Sequence, residues 1–182
     1  LTVGAPELSA VPRLRAFVGM GGNLGEVSVR LTQALGALAR LPGTSVEAAS
    51  GLYRTRPVGA DGPDFINAVV ALQTALGPHE LLGALLGIER EHDRQRPYLN
   101  APRTLDLDLL ALGDARLCTP TLTLPHPRQQ GRAFVMVPLA ELLAHLPVQA
   151  DSPPPCVPDA PTLARMSQEQ GIERLPGELL FD

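Results

Sequence analysis

Residues 102–113 read PRTLDLDLLALG. Asp106 and Asp108 stand two apart in a leucine-rich stretch. On a strand they share one face, roughly 7 Å apart along it. Leu105, Leu107 and Leu109 take the opposite face. Two carboxylates so placed can hold hard cations by oxygen, leaving positions for water and phosphate. A solvated strand face accounts for the same spacing. The Arg density upstream tips the balance, with Arg90, Arg94, Arg96 and Arg103 close together in the sequence. Carboxylates beside Arg suit magnesium–polyphosphate chemistry, where catalysis is largely positioning and charge neutralisation.

Other residues suit a ligand. His126 sits between two prolines in LPHP, near Arg128 and Arg132. The chain has only four Phe, two Tyr and no Trp. Phe65 and Phe134 would usually be core, but if they meet across a pocket they can sandwich a flat heterocycle. Asn67 shares a strand face with Phe65 and could read that ring's amide edge. GMGGNLG (19–25) resembles a dinucleotide-binding glycine loop. The elements after it are not repeated βαβ units, so close packing of strand and helix explains it as well.

Composition narrows the class. The chain has 182 residues, 45% of them hydrophobic, which suits one compact domain. We expect an N-terminal extension over 1–13 and one domain over 14–182. Net charge is −4 and every basic residue is Arg, so a P-loop lysine is excluded and a nucleic-acid partner is disfavoured. Cys118 and Cys156 form no metal or disulfide framework. No apolar run is long enough for a membrane span, and no secretion signal is evident. The expected location is the cytoplasm.

The elements that must position these residues follow from periodicity. LRAFVGM (14–20) reads as a strand. Asn23 can cap the next helix, with Glu26 completing a capping box. Val27, Leu31, Ala34, Leu35 and Leu38 form its apolar stripe. Segments 45–55 and 64–74 read as strands. Pro78 opens a second helix whose Glu89 falls near the apolar face. A helix at roughly 135–146 and a short one from near Pro161 follow the Asp-bearing strand. The fold class is α+β: a ferredoxin-like βαββαβ sandwich, mainly antiparallel, with additional C-terminal helices.

VGMGGNLG, LYRTRPVG, PDFINAVVAL, IER, APRTLDLDLL, LTLPHP and GRAFVMVPL occur in this order between about Phe17 and Leu146. This set resembles the 6-hydroxymethyl-7,8-dihydropterin pyrophosphokinases of folate biosynthesis. The resemblance implies a monomer that transfers pyrophosphate from ATP to the pterin hydroxymethyl group, releasing AMP, with two Mg2+ ions. It implies Asp106 and Asp108 as metal ligands. Arg94 and Arg103 would contact the ATP phosphates and act in catalysis. Leu109, Thr123, His126 and Arg132 would complete the ATP site. Phe65 and Phe134 would clamp the pterin, Asn67 would hydrogen-bond it, and Thr55 and Val58 would offer backbone contacts. Glu89 would orient the metal site from behind its ligands. Loops 56–63 and 93–102 are the expected lids.

The sequence departs from that pattern in places. LNAPR replaces the family's RWGPR, with Asn100 at the Trp position. Pro127 follows His126 where an aromatic is common. The Pro-rich stretch 147–161 has no family counterpart. Another Mg-dependent DxD phosphotransferase or nucleotidyltransferase would explain the carboxylates, but not Phe65, Asn67 and Phe134 together. An RNA-binding module would need more exposed aromatics and a basic surface.

Overall fold

The computed structural model describes residues 12–57, 62–92 and 104–179. In order it contains β1 (Leu14–Gly22), α1 (Val27–Ala39), β2 (Thr44–Ala49), β3 (Gly51–Thr55), β4 (Phe65–Thr74), α2 (Pro78–Glu91) and β5 (Asp106–Leu112). Then come β6 (Leu117–Cys118), β7 (Thr123–Leu124), a 3-10 turn (Gln129–Gly131), α3 (Ala133–Leu143), α4 (Ala160–Gln170) and β8 (Glu173–Glu178). The main sheet runs β5-β1-β4-β3-β8, with β2 also on β4, and every pairing is antiparallel. Counting β2 and β3 as one interrupted strand, β1 through β5 give the expected βαββαβ sandwich.

Alternation along the strands divides the molecule into two cores. Ala16, Val18, Met20, Ala68, Val70, Leu72, Leu107 and Leu109 face α1 and α2. The expected stripe of α1 is buried there in full. Each such leucine contributes about 1.5–3 kcal/mol by leaving water. Phe17, Val69, Ala71, Leu110 and Ala111 face the other way, against α3 and α4. A bulge in β5 makes this possible, because Phe17 pairs with Ala111 while Val18 pairs with Leu109. Leu110 is the extra residue.

Three local expectations change. Asn23 does not cap α1, which begins after Glu26 with no side-chain cap. Gly25 turns the chain at φ +69°, so Asn23 falls a turn too early. Its Nδ2 instead donates to the Pro63 carbonyl at 3.2 Å. The expected strand 45–55 breaks at Ser50, whose Oγ accepts from Val69 N at 3.0 Å. The chain also continues past its last helix into β8, which pairs with β3. Glu141 of α3 joins these parts, accepting from Gly51 N, the Tyr53 hydroxyl and Arg174 Nε at 2.9–3.0 Å. Burial, then Glu141, push the Tyr53 phenol up to about 12, so it stays a donor.

Arg15 is buried within β1, where its guanidinium forms a bidentate pair with Glu47 of β2. It also donates to the Pro147 carbonyl at 2.8 Å. Arg15 holds the Glu47 carboxyl below its ordinary value, against the opposing effect of burial. A carboxyl lowered on folding stabilises the chain above its unfolded value and loses that contribution as pH falls through the folded one. The thermal midpoint should therefore drop on acidification below the usual carboxylate range. Glu47→Gln should flatten that drop, while destabilising the chain at neutral pH by leaving Arg15 buried without its counter-charge. Parallel melting-versus-pH curves for the two proteins would remove Glu47 from this role.

Candidate active site

Helix α3 covers only one end of its face of the sheet. Beyond Phe17 and Val69 the same strand faces carry Gly19 and Gly21 of β1, Asn67 of β4, Thr55 of β3, and Asp106 and Asp108 of β5. With Phe65, Arg132 and Phe134 these residues line a cleft of about 550 Å³. The register explains the grouping, since Gly21 pairs with both Asn67 and Asp106, and Gly19 with Asp108. A Cβ at Gly21 would lie 2.8 Å from Asn67 Oδ1. The glycines thus keep the floor of the cleft open between the amide and the carboxylates. This is their role here, in place of a dinucleotide loop.

Seven expected residues therefore meet in one place: Thr55, Phe65, Asn67, Asp106, Asp108, Arg132 and Phe134. The Asn67 amide is aimed by its Nδ2, which donates to Thr55 Oγ1 at 3.0 Å. That leaves its remaining polar capacity toward the cleft and Gly21. The Thr55 hydroxyl thus has a use beyond the expected backbone contact. Arg132 lies 3.8 Å from Asp108 and its guanidinium sits 5.4 Å from the Phe134 ring centroid.

A second recess of about 290 Å³ lies beyond the sheet edge, between α2 and the β6–β7 hairpin. It is lined by Leu82, Leu86, Leu107, Leu109, Thr123 and His126, among others. Asp108 lines both recesses. The two meet at β5 because, among the described residues, β5 is an edge strand paired only with β1. Burial pushes the His126 imidazole down, Asp108 opposes, and Arg132 and Arg128 add to the lowering. Nδ1 accepts from Arg128 N at 3.3 Å, which assigns the neutral ring's proton to Nε2.

Glu89 stands behind the carboxylates. It is 1% exposed, and its Oε1 accepts from Leu107 N at 2.7 Å. Leu107 is the residue between Asp106 and Asp108. An edge strand leaves outward N–H groups unpaired, and Glu89 satisfies this one, fixing the backbone that carries both acids.

The donor set suits a hard divalent cation. Asp106 and Asp108 are partly exposed carboxylates on one strand face. Among the described residues no group of three or more His, Cys, Asp or Glu could hold a metal. A cation here would take its other oxygens from substrate or water, as Mg2+ does. Arg94, Arg103 and Val58 lie outside the described residues, as do Asn100, residues 58–61 of the first expected lid loop and all of the second.

The sequence set and this geometry agree with comparison to known proteins. A family model described as 7,8-dihydro-6-hydroxymethylpterin-pyrophosphokinase matches residues 17–144. The chain belongs to this family. It is an ATP-dependent pyrophosphokinase acting on hydroxymethyldihydropterin in folate synthesis. This pyrophosphokinase is 44% identical over 167 residues to the 2-amino-4-hydroxy-6-hydroxymethyldihydropteridine pyrophosphokinase of Pseudomonas aeruginosa, covering 90% of this chain and 98% of that protein. It is 49% identical over 127 residues to the protein of the same name from Synechocystis, covering 70% and 65%. It resembles in fold the crystal structure of wild-type Plasmodium falciparum HPPK-DHPS with SDX-DHP, at TM-score 0.58 and 12% identity. That match covers 87% of this chain and 46% of the other, so the chain spans about half the length of that protein. No helix among the described residues is long and apolar enough to cross a membrane.

Proposed function

We propose that the larger cleft holds the pterin, the smaller recess holds the adenosine end of ATP, and the polyphosphate crosses β5 between them at Asp108. The observation that carries this reading is the sharing of Asp108 by the two recesses. Phe65 and Phe134 stack on the pterin ring, and Asn67, steadied by Thr55, hydrogen-bonds its edge. Val58 adds a backbone contact. Leu109 and Thr123 border the nucleoside, and His126 donates to phosphate from Nε2.

Asp106 and Asp108 would hold the two Mg2+ ions, which when bound would supply charge neutralisation to the polyphosphate. Glu89 keeps those two acids in register through the Leu107 amide. Arg132, together with Arg94 and Arg103, stabilises charge on the transferred diphosphate. The pterin hydroxymethyl oxygen bonds to the β-phosphorus as the bridge to the α-phosphate breaks, giving AMP and the pterin diphosphate. The nucleophile is the substrate's own, so the chain needs no Ser or Cys for attack. In this reading the protein works in the cytoplasm as a monomer, since one chain lines both recesses. In this reading residues 14–182 act as one domain.

The test is product identity. With ATP, Mg2+ and 6-hydroxymethyl-7,8-dihydropterin, AMP and pterin diphosphate should form in equal amounts, and neither without the pterin. Release of ADP or orthophosphate independent of pterin would instead favour a different DxD phosphotransferase.

A further inference from the structure

We propose that Gln170, the last residue of α4, is a positioning residue for Arg132. The inference rests on the reading of the cleft given above and extends it to the C-terminal segment, which the family resemblance leaves without a role.

Gln170 makes two hydrogen bonds to backbone. Its Oε1 accepts from Ala133 N at 2.9 Å. Its Nε2 donates to the Gly131 carbonyl at 3.0 Å. These two groups flank Arg132, so one side chain holds the peptide units on both sides of the cation. Gln170 also lines the cleft. Ala133 is the first residue of α3, whose N-terminal N–H groups lack partners within the helix. Arg132 supplies no side-chain cap. Gln170 therefore caps α3 from another helix, and in doing so fixes the direction in which Arg132 enters the site.

The placement of Gln170 is determined by its own helix. Asp159 caps α4 by accepting from Thr162 N at 3.0 Å. Gly171, at φ +61°, ends it directly after Gln170. Leu163 and Met166 pack α4 against the α3 core. Positions 163, 166 and 170 share one helical face, so the packing that seats α4 also turns Gln170 toward the start of α3. A second tie supports the same junction: Gln130 Nε2 donates to the Cys156 carbonyl at 2.9 Å. Arg132 itself reaches Asp108 at 3.8 Å, the carboxylate common to both recesses. A shift at residues 131–133 is thereby felt where the polyphosphate crosses.

Gln170→Leu keeps the side chain's bulk and removes both hydrogen bonds. Misplacing a catalytic group by about an ångström costs up to about a hundredfold in rate, so kcat/KM should fall by about ten- to a hundredfold, with pterin-dependent AMP release as the assay. The loss should sit in kcat more than in KM for ATP, because a misaimed cation is felt most as charge redistributes in the transition state. Gln170→Asn, too short to bridge both groups, should show the same split, and it guards against poor folding of the Leu variant. In an Arg132→Ala background either change should alter kcat/KM by less than about twofold, because its target is gone. Equal losses in both backgrounds, or wild-type kcat in both single variants, would overturn the assignment. Absence of pterin-dependent AMP from the unmodified chain would overturn the reading of the cleft itself, and this inference with it.

Discussion

Asp108→Ala lowers turnover by about a thousandfold or more, the scale expected when charge neutralisation of a transferred phosphoryl group is lost. Asp106→Ala has a similar effect. The thermal midpoint stays close to that of the unmodified chain. Asp108 is 38% exposed, and its pairing with Arg132 at 3.8 Å is long. Exposed pairs of this kind contribute about 0–1 kcal/mol, and removing one of two neighbouring like charges offsets part of that. Parallel measurements of kcat and thermal unfolding decide the matter. Near-normal turnover in either variant sinks the metal-ligand assignment. A collapsed midpoint would make these acids structural.

Phe134→Ala weakens pterin binding by about ten- to a hundredfold, since stacking on an aromatic ring is worth roughly 1–3 kcal/mol per base. Binding of a non-hydrolysable ATP analogue changes by only a few-fold. The asymmetry follows from placement. Phe134 lines the larger cleft and is absent from the lining of the smaller recess. Its contact with Arg132 is a cation–π interaction that is lost with the ring. An exposed contact of that type is worth about 0.5–1 kcal/mol, which sets the small change allowed for nucleotide. Titration of each ligand separately is the measurement, and equal losses for both would exclude a dedicated pterin clamp.

The sequence exposed most where a period was strict. The alternation through LDLDL put leucines 105, 107 and 109 inward and both acids outward, and the structure has the same division. The stripe of α1 and the proline opening of α2 are as legible. Glu89 stood out as an acid near an apolar helical face, and it is buried behind the strand that carries Asp106 and Asp108. The glycines at 19 and 21 also carried a signal, because they share the parity of Phe17, but their use as an open floor depends on which strands flank β1.

Other features had no local trace. Asn23 looks like a helix cap, yet the turn at Gly25 and the nearby Pro63 carbonyl decide otherwise. The strand β8, ERLPGE, is short, polar and interrupted by proline, so only its pairing with β3 makes it a strand. Gln170 is one glutamine among several in a polar helix until α4 docks on α3.

The sequence alone determined the chemistry: the pair of acids, the Arg supply, the His between prolines, and the aromatic and amide residues suited to a flat ring. Those are properties of residue type and short spacing, which a chain carries wherever it goes. The tertiary structure decided the geometry, because Asp106, Asn67, Thr55 and Phe134 lie on four different elements. Their meeting depends on strand order, on α3 beginning beside the cleft, and on a strand shared by two recesses.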